Sequence, residues 1–167
     1  MTKEADISFK EGDFVVYPAH GVGKIVSVGS QEICGVAVEL FVIEFNKDHM
    51  VLKLPVQKAK TAGLRHISTK DEMEEALGAL TVKTKRKKAM WSHRAQEYET
   101  KINSGSIGHL ADVIRELHLC QVSGDQSYSE RQIYQTAFER FVREMAVVEN
   151  IDEDVASSKV CEKLNVA

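Results

Sequence analysis

The sequence is poor in cysteine, proline and tryptophan, and it contains no long apolar run. Its three cysteines, Cys34, Cys120 and Cys161, stand far apart without a Cys-x-x-Cys pair, so neither a disulfide framework nor a zinc ribbon is indicated. No stretch approaches the roughly 20 apolar residues of a membrane-spanning helix, and the polar first residues do not resemble a secretion signal. Because 43% of the 167 residues are hydrophobic, the chain can bury a core. We therefore expect a folded cytoplasmic protein that does not contact a membrane.

Sequence motifs for catalysis, cofactors and metals are also missing. Neither Gly-x-Ser-x-Gly nor His-Glu-x-x-His occurs in the chain. Gly21-Val22-Gly23-Lys24 resembles the end of a phosphate-binding loop, but Pro18 stands where that motif requires its first glycine. The histidines of the first part of the chain lack the spacing of metal ligands; they are His20, His49 and His66. The sequence therefore predicts a binding protein rather than an enzyme, with no cofactor, no metal and no small-molecule substrate.

The first part of the chain is rich in β-branched and aromatic residues that cluster between turn residues. We predict strands over Phe14 to Tyr17, Lys24 to Val28, Val36 to Phe45, Met50 to Leu54 and Leu64 to Ile67. One face of the longest strand carries Val38, Leu40, Val42 and Glu44, and the other carries Glu39, Phe41, Ile43 and Phe45. Short strands in this arrangement predict a small SH3-like or Tudor-like β-barrel over residues 1–68.

After Ser68 the spacing of apolar residues becomes helical. Ser68-Thr69 followed by acidic residues predicts a capped helix start, and Ser127 with Glu130 predicts another. We expect helices from this first start to Leu80, from the basic stretch to Asn103, from Ile107 to Cys120, from Ser127 to Val148, and from Asn150 onward. The predicted fold class is therefore α+β, with an all-helical bundle over residues 69–167 following the barrel. No heptad repeat indicates a coiled-coil dimer, so we expect a monomer.

Positive charge is concentrated in one stretch of an otherwise acidic chain. The formal net charge is −3, but Thr81 to Lys101 holds seven Lys or Arg against two Glu, a local charge of +5. Four of these cations are consecutive, and the only tryptophan follows shortly after them: Lys85, Arg86, Lys87, Lys88 and Trp91. Cations beside a bulky apolar side chain are typical of a nucleic-acid contact.

Two other interpretations of this stretch stay open. The cations can be a solvated linker, because charge runs are common in surface loops. Trp91, Ala95, Tyr98 and Ile102 have the spacing of a buried helix stripe, so the tryptophan can belong to the core.

The chain resembles the CarD/CdnL family of bacterial transcription regulators over nearly its whole length. Residues Phe9 to Gly23 are similar to the family's opening signature, which the transcription-repair coupling factor shares. Trp91-Ser92, the following Arg94 and the Ser104-Gly105 break resemble the family's C-terminal domain.

This resemblance implies a non-enzymatic factor whose Tudor-like domain binds the RNA polymerase β subunit. The residues at the positions of the family's polymerase contacts are Gln31, Val51, Lys53 and Pro55. Characterised relatives have arginine where this chain has Gln31 and Lys53. Lysine keeps the charge but loses the planar fork of the guanidinium, and glutamine loses both.

The resemblance also implies a contact between the helical domain and promoter DNA. Trp91 matches a tryptophan that inserts into the minor groove at the upstream edge of the transcription bubble, independently of base sequence. The neighbouring phosphate contacts are then His93, Arg94, Lys85, Arg86, Lys87 and Lys88. Such a wedge favours the open promoter complex. The alternative is a protein-interaction adaptor with a Tudor-like or SH3-like barrel and no direct DNA contact.

Overall fold

A computed structural model describes residues 9–18, 20–45, 49–59, 61–82, 90–123 and 127–166. For Trp91, residues 119–123 and Val166 it describes the backbone and not the side chain. The chain divides into two compact units, Met1–Ile67 and Ser68–Ala167.

The first unit is an antiparallel five-stranded sheet with one short helix. Its elements are β1 (Phe14–Tyr17), β2 (Gly21–Ile33), β3 (Val36–Phe45), β4 (Met50–Pro55), α1 (Val56–Ala59) and β5 (Arg65–His66). The strands lie in the order β4-β3-β2-β1-β5, so β4 and β5 form the two edges. The second unit is helical, which confirms the predicted α+β class with a Tudor-like N-terminal sheet.

Strand β2 is much longer than predicted, because it pairs with β3 along its whole length. The pairing ends with Ile33 opposite Val36, and Cys34 and Gly35 form a two-residue turn between them. Both turn residues have positive φ, 52° and 79°, which matches the twist of a tight hairpin. The sequence signal for a strand fades after Val28 because most side chains of this outer half are exposed.

Alternate side chains of the strands form the core of the first unit. The buried residues are Phe9, Val15, Ile25, Phe41, Ile43, Phe45, Leu54, Ala59 and Leu64. The sheet approaches this core closely at Gly23, where an added Cβ would lie 2.7 Å from Cγ2 of Ile43. A side chain at Gly23 would therefore displace the core, which gives a packing reason for the glycine in the opening signature.

The helices of the second unit are α2 (Lys70–Leu80), α3 (Trp91–Asn103), α4 (Ile107–Ser123), α5 (Tyr128–Glu149) and α6 (Glu153–Val166). Both predicted helix caps are confirmed, since Thr69 accepts from the backbone N–H of Glu72 and Ser127 accepts from that of Glu130, each at 3.2 Å. The prediction for Asn150 was wrong. Asn150 is the C-cap of α5, in a left-handed conformation with φ 53°, and does not start α6.

Glu144 of the helical unit is a deeply buried carboxylate, with 1% of its surface exposed. Glu144 Oε1 accepts hydrogen bonds from the backbone N–H and from the hydroxyl of Ser68, both at 3.0 Å. These bonds fix the start of the helical unit, because Ser68 comes directly before the cap of α2. Apolar side chains of α2, α3, α4, α5 and α6 form the hydrophobic core of the same unit.

We expect Glu144→Ala to lower the free energy of unfolding by about 2–3 kcal/mol, because the buried N–H of Ser68 loses its acceptor. Urea denaturation monitored by circular dichroism measures this loss. Glu162 is exposed on α6, and Glu162→Ala is the control, with a change within about 0.5 kcal/mol. An equally small change for Glu144→Ala would show that the two hydrogen bonds do not stabilise the unit.

Candidate functional site

Strand β3 separates the core of the first unit from an outward surface. Phe41, Ile43 and Phe45 point into the core, as the alternation of the sequence predicts. The opposite side of β3 carries Val38, Leu40, Val42 and Glu44. Leu40 is buried, and the other three are half-buried.

The strand register places all four predicted polymerase-binding residues on this opposite side. Residues directly opposite each other in an antiparallel pair share a face of the sheet. The pairs are Gln31 with Val38, Pro55 with Leu40, Lys53 with Val42, and Val51 with Glu44. We call the surface formed by these four pairs the outer face. Along β3 the outer face extends from Val38 to Glu44, a length of about 20 Å.

The outer face combines apolar and charged side chains. Gln31, Val51 and Lys53 are exposed, and Pro55 is half-buried. Val51 has 55% of its surface exposed, which is high for an aliphatic side chain. The surface therefore offers an aliphatic contact next to the ammonium group of Lys53.

The outer face includes an edge strand of the sheet, β4. Strand β4 is an edge strand of six residues, whereas the opposite edge, β5, contains two. Within the described residues, β4 has β3 as its only sheet neighbour. Pro55 at its end has no N–H to donate, which is typical of an edge strand. An edge of this length can accept a further strand from a partner.

Helix α3 begins at Trp91, later than predicted. Met90 precedes it with an extended backbone, φ −60° and ψ 144°, and makes no side-chain cap. The four cations at 85–88 therefore precede α3 in sequence. Lys85, Arg86, Lys87 and Lys88 lie outside the described residues, as does the side chain of Trp91. The exposed or buried state of Trp91 stays a prediction.

The two other predicted phosphate contacts differ in their positions. His93 is exposed in the first turn of α3, next to Ser92, which is also exposed. Arg94 is buried, and its Nη2 lies 3.5 Å from Oε1 of Glu130 on α5. The sequence placed Arg94 on the surface, whereas the structure buries it. Its guanidinium is directed toward a carboxylate within the helical unit.

Arg94 belongs to a buried polar cluster that joins three helices. Its guanidinium lies over the ring of Tyr98, 6.0 Å from the centroid. Burial raises the pKa of the Tyr98 hydroxyl, a hydrogen bond from Arg94 lowers it, and the charge of Glu116 on α4 raises it. Arg94, Tyr98, Glu116 and Glu130 are all less than 10% exposed.

Sequence reasoning missed this cluster, although a signal for it exists. Arg94 precedes Tyr98 by four residues and Ile102 by eight, so all three share one helix face. Tyr98 and Ile102 are buried as predicted, and Arg94 continues their stripe. Residue type alone misleads at this position, because arginine is rarely buried unless it has a partner.

Within the described ranges, no three His, Cys, Asp or Glu side chains are grouped closely enough to hold a metal ion. No described helix is both long enough and apolar enough to cross a membrane.

Comparison with known proteins gives matches in both units. The family model described as "CarD-like/TRCF RID domain" matches residues 9–68, and the model "CarD, C-terminal domain" matches residues 75–161, more than half of the chain. The chain is also similar to YdeB of Bacillus subtilis (strain 168), which is named provisionally as a transcription factor. The two are 24% identical over 145 residues, which cover 87% of this chain and 95% of YdeB.

Proposed function

Since this chain belongs to the CarD family of transcription factors, we propose that it binds the β subunit of RNA polymerase and stabilises the open promoter complex. In this proposal residues 1–68 form the polymerase-binding domain and residues 69–167 the DNA-contacting domain. The protein acts without catalysis, as a monomer, and in the cytoplasm, where bacterial polymerase works.

The outer face is the observation that carries this proposal. Residues from two separate strands, Gln31 on β2 and Val51, Lys53 and Pro55 on β4, lie on one side of the sheet. The match of residues 9–68 to the domain shared with the transcription-repair coupling factor supports polymerase as the partner. Three of the four side chains are exposed, so they are accessible to a second protein.

Strand addition at β4 accounts for how such a partner is held. A strand of the β subunit that pairs with β4 obtains affinity from backbone hydrogen bonds. Val51 and Lys53, on the outer side of β4, then contact the side chains of that partner. Lys53 supplies one charge but no bidentate fork, so we expect weaker binding than in relatives with arginine at this position.

Promoter DNA is the partner that we propose for the helical unit. Trp91 is the first residue of α3, and the residues that flank it in sequence are exposed at Met90, Ser92 and His93. An apolar wedge inserted between base steps stabilises unstacked DNA without reading its sequence. The cations at 85–88 hold the adjacent phosphates and give most of the affinity.

The dependence of DNA binding on salt tests this contact. We expect the replacement of Lys85, Arg86, Lys87 and Lys88 by glutamine to weaken binding to a forked promoter fragment. The slope of log affinity against log salt should fall by about 0.9 for each phosphate that the variant no longer neutralises. Fluorescence anisotropy with labelled DNA at several salt concentrations gives both values.

A matched variant controls for net charge. Replacing the exposed Lys58, Lys70, Lys159 and Lys163 by glutamine removes the same charge elsewhere and should leave the slope unchanged. Equal slopes for all three proteins would instead support an adaptor that binds proteins through its sheet and does not contact DNA.

A further inference from the structure

The first turn of α3 lacks two features that commonly stabilise a helix start. Met90 makes no capping hydrogen bond, and the first turn contains no acidic residue. Helices α2 and α5 both begin with a hydroxyl cap, and their first turns contain two acidic residues and one, respectively. A cap contributes about 1 kcal/mol, and acidic groups favour a helix start through the dipole. The beginning of α3 therefore depends on contacts with other helices.

Arg94 provides such a contact one turn into the helix. Its backbone N–H donates to the carbonyl of Met90 at 3.1 Å, so Arg94 closes the first turn. Its side chain pairs with Glu130, and the two side chains are 8% and 7% exposed. Glu130 is itself held in place, because its N–H donates to the Ser127 cap of α5. The ion pair thus joins the first turns of α3 and α5.

The remaining partners of Arg94 restrict its side chain further. Tyr98 lies one turn later on the same helix, beneath the guanidinium, and is 2% exposed. Glu116 on α4 is buried as well, and its charge raises the pKa of the Tyr98 hydroxyl. A guanidinium placed among these groups is oriented toward the interior of the helical unit.

We propose that the Arg94–Glu130 ion pair positions the first turn of α3, and with it Trp91, for insertion at the edge of the bubble. Arg94 is then a positioning residue that promotes open-complex stability without touching DNA. This inference rests on the proposed function, because it requires that Trp91 contacts the promoter.

Glu130→Gln separates the positioning role from a phosphate contact by the sign of its effect. The substitution removes a negative charge, so it should strengthen DNA binding if Arg94 faces phosphate. Positioning predicts the opposite, a shorter open-complex lifetime. We expect a decrease of roughly three- to tenfold, the size typical of changes that act on a site through packed neighbours.

Arg94→Gln and Arg94→Lys complete the test. A phosphate contact predicts a salt slope lower by about one for Arg94→Gln and nearly normal behaviour for Arg94→Lys. Positioning predicts an unchanged slope and a shorter lifetime for both variants, because lysine lacks the planar fork. The combined variant Arg94→Gln/Glu130→Gln should have a lifetime no shorter than either single variant, since either substitution alone already breaks the pair.

Trp91 also gives a spectroscopic measurement, because it is the only tryptophan. Its emission maximum and anisotropy in the free protein should change in Glu130→Gln and Arg94→Gln. They should not change in Arg131→Gln, which alters an exposed residue adjacent to Glu130. All measurements are made at a temperature at which circular dichroism shows each variant to be folded.

Trp91→Ala in the same lifetime assay distinguishes the two proposals. If Trp91→Ala leaves the lifetime unchanged, the proposed function is wrong. If Trp91→Ala shortens the lifetime and the Arg94 and Glu130 variants do not, the positioning inference is overturned. A longer lifetime for Glu130→Gln, or a salt slope lower by about one for Arg94→Gln, overturns it as well.

Discussion

Replacing Lys53 by glutamate should abolish the recovery of RNA polymerase by this protein from a bacterial lysate. Lys53 is exposed on the outer face, opposite Val42 and on the same side of β4 as Val51. The proposed contact pairs Lys53 with a carboxylate of the partner, so a glutamate at this position places like charges together, which costs several kcal/mol. We therefore expect an affinity for purified polymerase at least about 100-fold lower.

Two variants control this experiment. Lys58 is exposed on α1 of the same unit, and Lys58→Glu makes the same charge change away from the outer face, so it should retain binding. Lys53→Arg restores the planar fork and should bind as tightly as the unmodified protein or more tightly. Retention of polymerase by Lys53→Glu would remove the outer face from the interface.

Replacing Trp91 by alanine should return the open-complex lifetime close to that of polymerase alone. Inserted apolar side chains offset an unstacking cost of a few kcal/mol per base step, so we expect a decrease of about tenfold or more. Binding to polymerase should persist, because the outer face belongs to the other unit. A competitor challenge of preformed promoter complexes measures the lifetime, and a pull-down measures polymerase binding.

The stability of Trp91→Ala decides between a wedge and a core residue. Truncation of a buried tryptophan costs about 3–5 kcal/mol, whereas truncation of an exposed one changes the free energy of unfolding little. An unfolding free energy within about 1 kcal/mol of the unmodified protein is the expected result. A markedly earlier melting transition would support burial. Trp91→Phe, which keeps an aromatic wedge, should retain part of the lifetime.

Much of the fold could be predicted because local signals and tertiary structure agree. Strand β3 has the predicted ends, Val36 and Phe45, because turn residues flank it and its alternation separates core from surface. The outer half of β2 could not be predicted, because it pairs with β3 through backbone hydrogen bonds while its side chains are exposed and show no apolar alternation. Helix α1 was not predicted, because four residues, Val56–Ala59, are too short to show a helical period.

The candidate site was predictable in part. Gln31 and Lys53 came from a resemblance, and the register that places them on one face depends on how β2 and β4 each pair with β3. Arg94 was expected on the surface because of its charge and its position beside other cations. Its burial depends on Glu130, which lies 36 residues later and makes a buried guanidinium possible. A pairing over such a distance leaves no periodic signal in the sequence.

The lifetime of the open promoter complex tests the central claim most directly. RNA polymerase is allowed to open a promoter with and without the 167-residue chain, competitor is added, and the decay of the complex is followed. We predict a longer lifetime with the unmodified protein and no gain with Lys53→Glu or Trp91→Ala. An unchanged lifetime at protein concentrations that saturate polymerase would contradict the account.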